Sequence, residues 1–143
     1  MAAWQGFLRA HLVLVERLDR ELIERHDLPL AWYDVLVQLH QAGGSSTMGG
    51  LADRLLISPS TCTRVVERMA KAGLVERRVG EPDARVRLAV LTTAGRRLFT
   101  RAAVTHLSGI QRYFGAHLTD ETAADLAALF SQMTASDTTS RGD

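Results

Sequence analysis

The hydrophobic period of this chain changes once, sharply, at Gly73, and that change constrains the fold more than any other feature. Ser58 offers a side-chain oxygen directly ahead of Pro59, whose fixed φ and missing N–H suit the first position of a helix. Cys62, Val65, Val66 and Met69 then recur at spacings of three and four, and Ala72-Gly73 supplies a glycine stop after Lys71. The spacing predicts a helix with one buried face. Past Gly73 the pattern alternates through Leu74-Val75-Glu76-Arg77-Arg78-Val79, turns at Gly80-Glu81-Pro82-Asp83-Ala84, and alternates again through Val86-Arg87-Leu88-Ala89-Val90-Leu91. Two alternating runs about such a turn predict a β-hairpin with a basic tip.

Helical periods account for the rest. Trp4, Phe7, Leu8, His11, Leu14, Val15, Leu18 and Leu22 place a long amphipathic helix over about 3–25, stopped by Leu28-Pro29. Trp32, Val35, Leu36 and Leu39 form a second helix, which Gly43-Gly44-Ser45-Ser46 breaks as a flexible inter-helix turn. Thr47 caps a short third helix carrying Met48, Leu51, Ala52 and Leu55. After the hairpin, Thr92 or Thr93 caps a long helix with Leu98, Phe99, Ala102, Leu107, Ile110 and Phe114, and Thr119-Asp120 caps a last one with Leu126, Leu129, Phe130 and Met133. The class is mainly α with a small β-hairpin wing (α+β). A single domain is expected over 1–134, with a lobe over about 30–92, flanking helices over about 3–25, 93–117 and 119–133, and a disordered polar tail over 135–143.

Charge is distributed unevenly. Between Leu51 and Arg101 eleven Lys or Arg face five Asp or Glu, a surplus of six in a chain whose net charge is only +1. A basic centre between acidic ends is the footprint of a module that meets a polyanion with one face. No apolar run approaches the roughly 20 residues of a membrane span, and the N-terminus lacks an export signal, so a cytoplasmic protein is expected. The single cysteine, Cys62, makes no internal disulfide and no thiolate zinc site.

The Met48–Lys71 stretch fits a helix-turn-helix, whose second helix presents its N-terminal residues to base edges in the major groove. With Cys62, Val65, Val66 and Met69 inward, Ser58, Ser60, Thr61, Thr63, Arg64 and Arg68 become the recognition-helix candidates. Arg64 is the best single base reader, since a guanidinium binds guanine O6 and N7 in a bidentate way; its competing reading is a surface pair with Glu67. Arg54, Arg77, Arg78, Asp83, Arg85 and Arg87 are the wing and backbone candidates. Arg85 is placed for the minor groove. Asp83 either orients Arg85 or another wing arginine, or caps the turn through its side chain.

The ordered set Leu51-Ala52-Asp53-Arg54-Leu55, Ser58-Pro59-Ser60-Thr61, Arg64-Val65-Val66-Glu67-Arg68-Met69, Gly73-Leu74-Val75-Glu76-Arg77, Asp83-Ala84-Arg85 and Leu91-Thr92 resembles MarR-family regulators over essentially the whole chain. That resemblance implies a winged helix-turn-helix with N- and C-terminal dimerisation helices, and a homodimer on a pseudo-palindromic double-stranded DNA site. It also implies repression relieved by a small aromatic or phenolic effector, bound where the dimer helices meet the DNA-binding lobe. Trp4, His11, Trp32, Tyr33 and Phe114 are the candidate lining residues. The wing departs from the pattern in being slightly short, with Ala84 at a commonly polar or basic position, which leaves minor-groove contact to Arg85. The peroxide-sensing branch uses a cysteine near the N-terminus, absent here, so Cys62 is read as a small core hydrophobe, with a redox switch as the lesser reading.

Other classes fit less well. No nucleophile–base pair, paired carboxylates or phosphate loop appears, so no enzyme and no cofactor are expected. His11, His26, His40, His106 and His117 have no ligand spacing, and no metal is expected, although a metal sensor assembled across a dimer stays open. The alternative is a winged-helix protein-interaction or antirepressor module without DNA binding, against which the basic centre argues.

Overall fold

The computed structural model describes residues 1–135; of the disordered tail expected over 135–143, Ala135 instead ends the last helix and 136–143 lie outside the described residues. Helix α1 (Ala2–His26) is followed by α2 (Leu30–Gln41), strand β1 (Ser45–Thr47), α3 (Met48–Leu55), α4 (Pro59–Lys71), β2 (Val75–Val79), β3 (Arg87–Leu91), α5 (Thr93–Tyr113), a 3₁₀ turn at Gly115–His117 and α6 (Asp120–Ala135). The chain divides into two compact units, Met1–Leu107 and the segment from Ser108 onward.

The element ends follow from local chemistry. Thr47 Oγ1 accepts the Gly50 N–H at 3.1 Å and Ser58 Oγ accepts the Thr61 N–H at 3.2 Å, so both predicted N-caps form. Gly73 takes φ +75°, where a side chain is strained, and lets the chain turn from α4 into β2. At the start of α5 the cap is Thr92. Its hydroxyl accepts the Gly95 N–H at 3.0 Å and donates to the Gly73 and Leu74 carbonyls at 2.7 and 3.0 Å, which ties α5 to the end of α4.

The sheet is antiparallel in the order β1-β3-β2. Its hairpin pairs Val75 with Leu91 and Val79 with Arg87. The expectation of a flexible turn after α2 is corrected in part: Gly43 and Gly44 turn the chain at positive φ, but Ser45–Thr47 pair with Leu88–Val90 as a third strand. The core of the first unit gathers Leu22, Leu28, Val35, Leu36, Leu39, Leu51, Cys62, Val66, Met69, Val75, Ala89 and Leu91. It holds α4 and the hairpin as one body.

In the second unit, Thr119 Oγ1 accepts the Thr122 N–H at 3.2 Å and caps α6. The long helix expected over 93–117 ends at Tyr113, before the 3₁₀ turn, while α6 continues through Thr134 and Ala135. Among the described residues no helix is long and apolar enough to cross a membrane.

Candidate nucleic-acid interface

On α4 the buried residues Cys62, Val66 and Met69 leave Ser60, Arg64, Glu67 and Arg68 on the opposite, exposed face, with Thr61 and Thr63 half-buried at its margins. Ser58 closes a small hydroxyl cluster. It donates to Thr61 Oγ1 at 2.9 Å, lies 3.1 Å from Ser60 Oγ, and already accepts the Thr61 N–H. Ser58 and Thr61 are thus committed to holding the helix start, and Ser60 stands outermost.

The competing reading of Arg64 is settled by its neighbour. Glu67 Oε1 accepts from Arg77 Nη1 at 2.9 Å, across from the wing, and Arg64 makes no ion pair with any described residue. Arg54, Arg68 and Arg85 are likewise unpaired among the described residues, so four cations from α3, α4 and the wing tip are available to an external anion. Arg77 and Arg78 differ from that expectation. Arg77 braces α4 to β2, and Arg78 pairs with Glu76 at 2.7 Å along the same strand. Both pairs are exposed, a class worth only about 0–1 kcal/mol, so phosphate competes with them readily.

In the wing, Asp83 takes the turn-capping role and not the orienting one. Its Oδ1 accepts the Arg85 backbone N–H at 2.9 Å, and its carbonyl accepts the Val86 N–H at 3.1 Å. Arg87 Nη1 donates to the Ala84 carbonyl and is spent inside the hairpin. This leaves the Arg85 guanidinium as the cation of the tip without a partner among the described residues.

Cys62 is fully buried, with its Sγ 3.8 Å from the Met48 carbonyl oxygen, and burial pushes its thiol above the ordinary range. A thiol held protonated in the core is a poor nucleophile, which favours the packing role.

The four effector-pocket candidates of the first unit, Trp4, His11, Trp32 and Tyr33, do not converge within one chain. Trp4, Phe7 and His11 stack in series along exposed α1, with ring centroids 5.9 and 6.3 Å apart. Tyr33 is buried against Phe99 at 5.9 Å and His106 at 4.5 Å. Trp32 instead lines an open cleft of about 440 Å³ with His26, Asp27, Pro29, Ala72, Leu74 and Leu98. At about 1.5 Å of rise per residue, His11 stands roughly 22 Å along α1 from His26, so it cannot reach that cleft in the same protomer. Phe114 belongs to the second unit.

Sequence reading missed the histidines of this region. His26 Nε2 shares a 2.8 Å hydrogen bond with Thr105 Oγ1, and burial, then the charges of Arg101 and Arg25, lowers its pKa. The buried Nδ1 of His106 has no hydrogen-bond partner, and burial likewise lowers that pKa. Among the described residues no group of three or more His, Cys, Asp or Glu is arranged to hold a metal ion.

A sequence model of the MarR family matches residues 26–86, the segment that carries the helix-turn-helix and most of the wing. Two MarR-family transcriptional regulators from Streptomyces coelicolor share the architecture. Sco3205, solved in complex with DNA, has 27% identity and a TM-score of 0.88 over 92% of this chain and 83% of its own. AbsC has 29% identity and a TM-score of 0.87 over 99% of this chain and 94% of its own. Over residues 26–86 this chain carries a segment that matches the MarR family. Among more distant MarR-like folds is BpsR of Bordetella bronchiseptica, whose DNA binding is regulated by 6-hydroxynicotinic acid, at 22% identity and a TM-score of 0.82 over 93% of this chain and 98% of its own. No curated protein sequence matches this chain.

Proposed function

We propose that this chain is a cytoplasmic, sequence-specific MarR-family regulator of transcription that binds double-stranded DNA as a homodimer and represses until a small aromatic effector releases it. The observation that carries the reading is the set of unpaired guanidinium groups, Arg54, Arg64, Arg68 and Arg85, on the exposed face of α4 and on the two elements beside it. Arg64 reads a base edge in the major groove. Arg85, carried on the turn that Asp83 caps, enters the adjacent minor groove, while Arg54 and Arg68 meet phosphates. An interaction module that had lost DNA binding has no use for four unpaired cations beside a hydroxyl-rich helix start.

The dimer is supported by apolar surface that a lone chain leaves in water. Trp4, Phe7, Leu8, Leu12 and Val15 on α1, Val104 and Leu107 on α5, and Leu129 and Met133 on α6 are all exposed. Large apolar side chains exposed repeatedly along a helix mark association surfaces. The effector reading narrows to the Trp32 cleft, whose walls combine Pro29, Trp32, Leu74 and Leu98 with His26 and Asp27 at one end. Its size and mostly apolar lining suit a single-ring aromatic, and its contact with Ala72 couples an occupant to the end of α4.

Fluorescence anisotropy on the DNA upstream of the gene, at two salt concentrations, tests the core of this reading. Affinity is expected to fall steeply with salt, and Arg64→Ala to remove sequence selectivity. Salt-insensitive binding, or none to that DNA and to a random-site library, refutes it.

A further inference from the structure

Large exposed apolar side chains among the described residues fall almost entirely on α1, α5 and α6 or in the turn before α6, where dimerisation accounts for them. Two stand apart, Leu56 at 89% exposure and Val79 at 53%. They bracket the recognition helix: Leu56 lies in the turn that leads into α4, and Val79 at the wing end of β2.

Leu56 carries a second peculiarity. Its backbone sits at φ 55°, ψ 38°, the left-handed conformation in which a side chain crowds the carbonyl that follows. Glycine or asparagine fills such a helix-ending position without that crowding. The local geometry itself needs only the backbone, since the Leu56 N–H donates to the Asp53 carbonyl and the Ile57 N–H to the Ala52 carbonyl, both at 3.2 Å. In the free chain the leucine side chain is therefore both strained and unburied, and nothing within the protomer offsets either cost. Its surroundings are the proposed DNA face, with unpaired Arg54 two residues before it and the Ser58–Ser60 hydroxyls just after.

Resting on the DNA-binding reading above, we infer that Leu56 is an apolar DNA-contact residue that packs against the C–H surface of the duplex beside the recognition helix. A leucine there adds what arginines do not supply. It excludes water next to the Arg54 and Arg64 contacts and removes apolar surface from water at no cost in counterions. Two parts of DNA present such a surface, the thymine C5-methyl group and the deoxyribose.

The test titrates the same upstream duplex with wild-type protein, Leu56→Asn and Leu56→Gly over a range of salt. Both variants are expected to bind about tenfold more weakly with an unchanged salt slope, because no phosphate contact is lost. Their melting midpoints are expected to hold or to rise by about 2–4 °C, as the strained side chain is removed. A duplex with deoxyuridine in place of thymidine separates the two surfaces. If wild-type binding weakens to the level of the variants, the contact is a thymine methyl; if it is unaffected while the variants stay weak, the contact is sugar. Variant affinities within twofold of wild type overturn the inference, and so does a shallower salt slope, which would make Leu56 a spacer for the cations. Absence of salt-sensitive binding by the wild type overturns the regulator reading itself.

Discussion

Gly95→Ala sets two effects of opposite sign against each other at the joint between the wing and α5. Intrinsic propensity favours alanine over glycine inside a helix by about 1 kcal/mol, so the substitution would stabilise an unconstrained α5. The packing says otherwise. A Cβ at Gly95 would stand 2.1 Å from the Leu74 carbonyl oxygen and 2.9 Å from Leu91 Cδ1. The first of these is backbone and cannot rotate away, so α5 must retreat by about 1 Å, a shift that a close-packed interior resists. The retreat breaks the Thr92 staple, whose hydroxyl donates to Gly73 and Leu74 and accepts the Gly95 N–H. Overpacking costs about 1–3 kcal/mol and loss of the cap about 1 kcal/mol, against the propensity gain of about 1 kcal/mol. A net loss of about 1–3 kcal/mol is expected. Urea unfolding at fixed protomer concentration measures it as a lowered midpoint with an unchanged slope. A midpoint equal to or above wild type would refute the reasoning and show that α5 is free to slide over the end of the recognition helix.

Arg85→Ala should weaken DNA binding and reduce the salt slope by about one, whereas Arg64→Ala should cost about 1–3 kcal/mol on the preferred site and little on random DNA. Asp83→Ala removes a negative charge near phosphate yet should weaken binding, because the Arg85 N–H loses its acceptor and the tip unlatches; anisotropy showing tighter binding would sink that account. His26 and His106 both have lowered pKa values, so well above the ordinary histidine value of about 6.5 they are neutral in folded and unfolded chains alike and titrate no stability. As pH falls below that value the unfolded chain takes up protons that the folded one refuses, and stability should drop; replacing His106 with Phe should flatten urea midpoints measured between pH 7.5 and 5.5. Cys62 should resist iodoacetamide in the native protein at pH 7.5 and react once urea unfolds it.

What the sequence determined by itself is whatever the chain writes within one turn or one alternation. Thr47, Ser58 and Gly73 mark helix ends because a cap joins atoms three or four residues apart, and Cys62, Val66 and Met69 mark the inward face of α4 because the helix repeat fixes it. The hairpin was legible for the same reason. Tertiary structure decided everything that depends on partners distant along the chain. Ser45–Thr47 became a strand only because β3 offered its free edge, and Thr92 rather than Thr93 became the cap because its hydroxyl also meets Gly73 and Leu74. Glu67 chose Arg77 over Arg64, which left Arg64 without an ion pair among the described residues, and no local pattern records a preference between two arginines ten and three residues away. The aromatic candidates separated because α1 is a rigid rod and Trp32 and Tyr33, being adjacent on α2, point to different faces. Local hydrogen bonding and hydrophobic period are encoded by neighbours; which of several like-charged side chains stays unpaired, and which aromatic meets which wall, is fixed only when the packed elements bring their surfaces together.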